Sequence, residues 1–193
     1  MISMQEIVRT VADAICALRR DKESLLIAID GRCASGKTTL AAQLQQIYRC
    51  PVIHMDHFFL RDAQRTEERL RTPGENIDHE RFLEEVLLPL RENGTCVYRP
   101  YDCGVHQLSK PIAILKSDLY IVEGSYACHK ALRDYYDLRV FLSVEPEEQL
   151  LRITSRDGDE KATVFRSKWI PLEEAYFAAF DVAAHCDLRF TTG

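Results

Sequence analysis

Eight consecutive residues carry the clearest chemical pattern in this sequence. The stretch Gly31-Arg32-Cys33-Ala34-Ser35-Gly36-Lys37-Thr38 fits G-x-x-x-x-G-K-[ST], the spacing of a phosphate-binding loop. In such a loop the glycines permit tight backbone angles, and free N–H groups at the start of the next helix bind phosphate oxygens. The lysine reaches the outer phosphates and the threonine hydroxyl can bind Mg²⁺. The residues predicted to bind a nucleotide are Gly31, Ala34, Ser35, Gly36, Lys37, Thr38 and Thr39.

The residues on either side of this loop supply the elements that must position it. An apolar run at 25–29 precedes the loop, as expected of a strand that is buried on both faces. Helix formers with apolar residues at helical spacing follow at 39–47. The order of strand, glycine loop and helix is the context in which this motif binds nucleotides.

Two acidic residues follow later strand-like runs and could complete the site. Asp56 comes after the run at 50–55, and Glu123 comes after the run at 118–122. Because ligands of open α/β sheets lie at the carboxyl ends of the strands, Asp56 is a candidate general base or Mg²⁺ contact. Glu123 is a candidate Mg²⁺ ligand. The alternatives are a turn or N-cap aspartate and a solvated strand-end glutamate.

The residues after Asp56 could form the acceptor side of the site. Phe58 either belongs to the core or walls a pocket. Residues 60–76 are charged and interrupted by Pro-Gly, which predicts a mobile or partly helical segment. Asp78 resembles the N-cap of a helix over 79–92.

A second group of candidate residues lies between two β-prone runs. The runs at 95–99 and 111–115 predict a hairpin-like excursion from the main sheet. Tyr101 and His106 would lie near its tip, where they could stack on or hydrogen-bond a flat ligand. An ordinary surface loop is the alternative.

Basic residues concentrate in the last third of the chain. Arg152 and Arg156 are four residues apart and share one face of a helix predicted over about 146–155. The segment 157–168 that follows contains further basic residues and a glycine. A mobile lid of this kind could close over a triphosphate and neutralise developing charge, whereas the alternative is a solvated charged face.

The composition narrows the classes of protein. The formal net charge of −5 gives no basic footprint for nucleic acid. No apolar run is long enough to span a membrane and no signal-peptide core is present, so we expect a cytoplasmic protein. The seven cysteines are scattered singly, which argues against a disulfide framework or a zinc site. The sequence is compatible with a homo-oligomer.

The alternation of strands and helices predicts the fold class. It indicates an α/β protein of the P-loop NTPase type, with a parallel β-sheet covered by helices on both faces. No linker or repeat divides the chain, so we expect a single domain over residues 1–193, with a lid at approximately 157–168.

Several stretches together make the chain similar to the uridine/cytidine kinase group of P-loop kinases, which are relatives of phosphoribulokinase and pantothenate kinase. The matching stretches occur in the family's order and span most of the chain. They are the phosphate-binding loop, Met55-Asp56-His57-Phe58-Phe59, Asn76-Ile77-Asp78-His79, Tyr101-Asp102 with His106, Ile121-Val122-Glu123-Gly124, and Arg152 with Arg156-Asp157.

This resemblance implies a role for each matching residue. Asp56 would accept the proton of the 5′-hydroxyl, and Asp78 would bind the ribose hydroxyls. Tyr101 and His106 would read the pyrimidine base. Glu123 would lie near Mg²⁺, and the two arginines would contact phosphate. The implied reaction is phosphoryl transfer from ATP or GTP to uridine or cytidine.

Other acceptors and another class of protein remain open at this point. The family usually has an aromatic residue where this sequence has Ile77, and the lid lacks the family's usual E-R-G-R arrangement. The acceptor could therefore be nicotinamide riboside, a deoxynucleoside or another small metabolite. A nucleotide-binding regulator without catalytic activity is the alternative from a different class.

Overall fold

A parallel sheet of five strands forms the centre of the computed structural model, which describes residues 2–193. In order across the sheet, its strands are β2 (Val52–His54), β7 (Leu119–Glu123), β1 (Leu25–Gly31), β8 (Leu138–Val144) and β9 (Leu188–Thr192). Every neighbouring pair is parallel. All residues of the central strand β1 are buried, as its apolar sequence predicts. The four strands outside this sheet are β3 (Cys96–Tyr98), β4 (Tyr101–Asp102), β5 (Gln107–Leu108) and β6 (Ile112–Ile114).

Helices cover both faces of this sheet. The helices are α1 (Met4–Leu18), α2 (Lys37–Tyr48), α3 (Glu67–Arg71), α4 (His79–Phe82), α5 (Leu88–Asn93), α6 (Pro146–Asp157), α7 (Asp159–Val164) and α8 (Ile170–Phe180). A π-helical turn, Leu83–Leu87, joins α4 to α5, and another, Phe165–Trp169, joins α7 to α8. The helix predicted over 79–92 is therefore present with a π-helical centre.

Two hydrophobic clusters lie on opposite faces of the sheet. One contains apolar residues of α1 and α2, among them Ile7 and Leu40. The other contains Phe82, Val86 and Tyr176 from the helices of the other face. The prediction of an α/β fold with helices on both faces is confirmed.

The excursion predicted around residues 95–115 is also present. Strand β3 pairs with β6 in an antiparallel ribbon, and β4 pairs with β5 in a short hairpin between them. The segment 60–76 contains a 3-10 turn, Asp62–Gln64, and helix α3, so it is partly helical as predicted. Among residues 2–193, no helix is both long and apolar enough to cross a membrane.

Candidate active site

The phosphate-binding loop connects β1 to α2, as its motif predicts. Gly31 has φ +136°, and a Cβ there would lie 1.9 Å from the carbonyl oxygen of Leu142, so only glycine fits between β1 and β8. Gly36 has φ +96° and is the N-cap residue of α2. The Lys37 ammonium donates to the carbonyl oxygens of Gly31 and Arg32, both at 2.8 Å. These bonds hold the lysine inside the loop.

Asp30, the residue before the loop, is a buried carboxylate that the motif search missed. It accepts hydrogen bonds from the N–H groups of Gly31 (2.6 Å), Tyr126 (3.2 Å) and Cys128 (2.8 Å). The Tyr176 hydroxyl donates a fourth at 2.8 Å. Burial raises the pKa of Asp30 to about 6, although these donors favour its ionised form. The sequence signal was an aspartate inside an otherwise apolar run.

Thr38 and Glu123 meet at the carboxyl ends of the strands. The Thr38 hydroxyl donates to Glu123 Oε2 at 3.2 Å, and His54 Nδ1 lies 2.5 Å from Glu123 Oε1. This hydrogen bond to Glu123 raises the pKa of His54. A hydroxyl and a carboxylate are the oxygen donors that Mg²⁺ prefers, so these residues fit the ion.

Asp56 lies in the 3-10 turn that follows β2 and faces the same cavity as Glu123. Its side chain is accessible from the cavity, while the protein encloses it on the other sides. The resulting desolvation raises the pKa of Asp56, and the charge of Glu123 adds to this effect, whereas Lys37 opposes it. A carboxylate with a raised pKa is suited to accept a proton from a hydroxyl.

A cavity of about 560 Å³ joins the loop to these carboxylates. Its carboxylates are Asp56, Glu123 and Glu173, and its basic side chains are Lys37, Arg65 and Arg156. The remaining lining includes four loop and helix residues (Ala34, Gly36, Thr38 and Thr39), the amide of Asn76, the thiol of Cys103, and the aromatic rings of Phe59, Tyr126, Phe165 and Trp169. The cavity is large enough for a small ligand.

Helix α8 contacts the loop directly, which no sequence motif indicated. The Glu173 carboxylate accepts hydrogen bonds from the Cys33 N–H at 2.9 Å and the Ser125 hydroxyl at 2.6 Å. Glu174 forms a two-bond ion pair with Arg32, at 2.6 and 3.0 Å. Burial raises the pKa of the Cys33 thiol to about 12, so this half-buried thiol of the loop is protonated at neutral pH.

The two predicted lid arginines differ in their surroundings. Arg156 lines the cavity, and its guanidinium is bonded to Asp157 at 2.8 Å. Arg152 lies outside the cavity, where it binds Glu148 at 2.7 Å and donates to the carbonyl oxygen of Ala34 in the loop at 3.2 Å. The predicted lid segment contains α7 and most of the π-helical turn that leads into α8.

Of the two alternatives for Phe58, the structure supports the core. Its ring is fully buried and packs edge-on against Phe82 at 4.9 Å, with the Arg81 guanidinium over its face at 4.2 Å. Its prediction as a residue that contacts substrate is therefore wrong in this structure. The neighbouring Phe59 lines the cavity instead.

Asp78 is the N-cap of α4 and accepts a hydrogen bond from the Arg81 N–H at 3.3 Å. The residue is 1% exposed, and its Oδ2 atom has no hydrogen bond within residues 2–193 but lies 3.5 Å from the guanidinium groups of both Arg61 and Arg81. Asn76, two residues earlier in the same motif, lines the cavity. Its buried amide nitrogen has no hydrogen-bond partner within the described chain. Unpaired buried polar atoms are unusual outside functional sites.

Tyr101 and His106 lie together, on β4 and at the end of the β4–β5 turn, and neither of them lines the cavity. Both contact Asp62, a residue that the sequence analysis did not single out. The Tyr101 hydroxyl donates to Asp62 Oδ1 at 3.1 Å, and His106 Nδ1 lies 3.0 Å from the same oxygen. Cys103 and Arg65, close to them in sequence, line the cavity wall.

Another group of side chains, formed by Glu75, His79 and His129, has the residue types of a metal site. The Ala131 N–H, however, donates to His129 Nδ1 at 3.2 Å, so the neutral ring carries its proton on Nε2. Nε2 faces Glu75 Oε1 at 4.0 Å. This arrangement suits a donor to the carboxylate and leaves no lone pair on that nitrogen for a metal.

These features together define a P-loop phosphotransferase: a phosphate-binding loop on a parallel sheet, with carboxylates at the ends of two strands on one side. A sequence model of the phosphoribulokinase / uridine kinase family matches residues 26–165. The chain belongs to this family, and it is an enzyme that transfers a phosphoryl group to a hydroxyl acceptor.

Individual relatives agree with this assignment. The uridine kinase of Macrococcus caseolyticus is 30% identical over 156 residues, which cover 75% of this chain and 74% of the relative. The uridine kinase of Staphylococcus haemolyticus is 32% identical over 154 residues, which cover 74% of this chain and 72% of the relative. The solved structure of a possible uridine kinase from Bacillus stearothermophilus shares the fold, with a TM-score of 0.71, 23% identity, and coverage of 98% of this chain and all of the other.

Proposed function

We propose that this protein is a Mg²⁺-dependent nucleoside kinase that transfers the γ-phosphoryl group of ATP or GTP to the 5′-hydroxyl of uridine or cytidine. The observation that carries the proposal is the convergence of Lys37, Thr38, Asp56 and Glu123 on one cavity. The uridine kinases among its relatives support a pyrimidine nucleoside as acceptor.

The nucleotide would bind at the start of α2. The N–H groups at the start of α2 and the Lys37 ammonium would hold the β- and γ-phosphates, because they are the donors and the cation at that helix end. Thr38 and Glu123 would hold Mg²⁺, which when bound neutralises phosphate charge. The Lys37 ammonium would exchange its bonds to loop carbonyl oxygens for bonds to phosphate.

The acceptor would enter from the side of Asn76 and Phe59. Asp56 would orient its 5′-hydroxyl and accept the proton as the phosphoryl group is transferred. Arg65 and Arg156 would neutralise charge on the transferring group, since both line the cavity. Asp78 would bind the ribose hydroxyls once the Asn76–Asp78 segment has moved toward the ligand, and its Oδ2 atom would exchange its ion-pair contacts with Arg61 and Arg81 for hydrogen bonds to the ligand.

The test is the production of ADP from ATP, or of GDP from GTP, with Mg²⁺ across a panel of acceptors. The panel contains uridine, cytidine, deoxynucleosides, nicotinamide riboside, pantothenate and sugar phosphates. Strong stimulation by uridine or cytidine is the expected result. Stimulation by another member alone would reassign the acceptor, and nucleotide binding with no stimulation by any member would favour a regulator that senses ATP.

A further inference from the structure

His129 is a buried histidine outside the cavity that the proposed function does not use. Its ring is fully buried, stacks on the ring of His79 at 4.2 Å, and meets the ring of Phe180 edge-on at 5.0 Å. The backbone carbonyl oxygen of His129 accepts hydrogen bonds from the N–H groups of Leu132 and Arg133, at 2.8 and 2.9 Å. Both the ring and the backbone of His129 are therefore held in place.

The protonation of this ring leaves one donor without a partner. Burial lowers the pKa of His129 to about 3, so the ring is neutral at physiological pH. Because the Ala131 N–H donates to Nδ1 at 3.2 Å, the proton of the neutral ring is on Nε2. This Nε2–H group has no hydrogen-bond partner among residues 2–193. A buried donor without a partner is costly, so a state of the protein that supplies an acceptor is favoured.

The Glu75 carboxylate lies just beyond hydrogen-bond distance of this donor. Its Oε1 atom is 4.0 Å from His129 Nε2, which is about 1 Å more than a hydrogen bond requires. His79 Nε2 lies 3.2 and 3.1 Å from the two oxygens of the same carboxylate. Arg69 makes a longer contact, 3.7 Å from Oε2. The two stacked imidazole rings therefore present their Nε2 atoms to one carboxylate.

Glu75 and His79 flank the segment that is proposed to receive the acceptor. Glu75 precedes Asn76, which lines the cavity. His79 follows Asp78, the proposed ligand of the ribose hydroxyls. The proposed function requires this segment to move toward the ligand. A movement that brings the Glu75 carboxylate about 1 Å closer to His129 would give the buried N–H group its acceptor.

We propose that His129 is a positioning residue for the acceptor: its Nε2–H group binds the Glu75 carboxylate in the acceptor complex and so holds the Asn76–Asp78 segment at the site. The proposal rests on the proposed function, which assigns this segment to the acceptor. His129 acts only through Glu75, since it does not line the cavity. The bond therefore strengthens acceptor binding and leaves nucleotide binding at the start of α2 unchanged.

The test measures KM and kcat for uridine and cytidine with ATP and Mg²⁺. His129→Phe keeps an aromatic ring in the stack and removes the N–H group, whereas Glu75→Ala removes the acceptor of that group. Each variant should raise the KM for the nucleoside by about tenfold, as expected for one lost hydrogen bond to a charged group. Both kcat and the KM for ATP should stay within about twofold of the wild-type values. The double variant should be no worse than either single variant, because both remove the same bond.

Glu67→Ala is the matched control, because it removes a carboxylate from the same charged segment. The Glu67 side chain is 85% exposed and is bound only to Arg71 in the described structure. This variant should keep the wild-type values.

Glu75→Gln is the conservative variant, because its carboxamide oxygen can still accept from His129. It should recover much of the nucleoside affinity that Glu75→Ala loses, in a calorimetric titration with a non-hydrolysable ATP analogue. Thermal melting shows whether each variant folds. If His129→Phe does not fold, the comparison of Glu75→Ala with Glu75→Gln decides the question.

Two kinds of failure can be told apart. If the variants leave the nucleoside KM unchanged, if their effects multiply in the double variant, if kcat falls without a change in the nucleoside KM, or if Glu75→Gln recovers nothing, the inference is overturned and the nucleoside kinase stands. If the wild-type protein phosphorylates neither uridine nor cytidine, the proposed function itself is refuted, and the inference falls with it.

Discussion

The hydrogen bond between Tyr176 and Asp30 allows a sharp test of how the phosphate-binding loop is supported. Both side chains are fully buried, and the Tyr176 hydroxyl donates to Asp30 Oδ2 at 2.8 Å. A hydrogen bond to a charged group contributes about 1.5–3 kcal/mol. We therefore expect Tyr176→Phe to lower the free energy of unfolding by about 2 kcal/mol at pH 7.5. The melting temperature should fall by about 4–8 °C for a chain of this size.

The loss of stability in Tyr176→Phe should depend on pH, because Asp30 titrates. Burial raises the pKa of Asp30 to about 6, so the carboxyl is ionised at pH 7.5 and mostly protonated at pH 5. The raised pKa means that protonation of Asp30 stabilises the folded state below about pH 4, and this contribution is lost as the pH rises through 6. The hydroxyl favours the ionised form, so its removal should cost about 1 kcal/mol less at pH 5 than at pH 7.5.

Urea denaturation at the two pH values measures both effects. Tyr136→Phe is the matched control, because the Tyr136 hydroxyl is buried without a hydrogen-bond partner among residues 2–193. Its removal should leave stability unchanged or raise it. A loss below 0.5 kcal/mol for Tyr176→Phe at pH 7.5, roughly a third of the smallest value expected, would refute this reasoning. An equal loss at both pH values would refute the assignment of the charge to Asp30.

Three further predictions concern residues proposed to act in catalysis. Lys37→Ala should weaken nucleotide binding and lower kcat/KM by about 10²-fold or more, measured by ADP release, and unaltered kinetics would contradict the loop assignment. Asp56→Asn should lower kcat by about 10²–10⁴-fold while ATP affinity in a calorimetric titration stays within a few-fold; surviving turnover would exclude Asp56 as the base. Because the pKa of Asp56 is raised, kcat/KM should be lost on acidification at a pH above the usual aspartate value of 3.8, and a profile that is flat down to pH 4 would contradict this.

The elements that the sequence predicted well are those that local residues determine. The loop, its strand and its helix follow from one motif and two adjacent patterns of apolar residues. Asp56 and Glu123 were found because parallel strands end at the same edge of a sheet. The capping box of α1, from Ser3 to Glu6, likewise joins residues only three positions apart.

The features that the sequence did not predict depend on residues far apart in the chain. Asp30 takes three of its four donors from positions 126, 128 and 176, so the apolar run around it indicates a buried residue but not the groups that bind its charge. The association of Asp62 with Tyr101 and His106 joins segments about forty residues apart. Phe58, among the residues that follow Asp56, was expected either in the core or on a pocket wall. The 3-10 turn that exposes Asp56 to the cavity directs Phe58 into the core.

Helix α8 shows why a motif can identify a loop without showing what fixes it. Three of its residues contact the loop or the residue before it: Glu173 binds the Cys33 N–H, Glu174 binds Arg32, and Tyr176 binds Asp30. The first and last are three positions apart, so they project from one side of the helix, and Tyr176 also belongs to the hydrophobic cluster with Phe177. The helix follows directly after the predicted lid, so the segment between Gly158 and Trp169 joins a helix that is already bound to the nucleotide site. Substitutions in α8 should therefore alter nucleotide affinity as well as stability, although the helix contains no residue of the phosphate-binding motif.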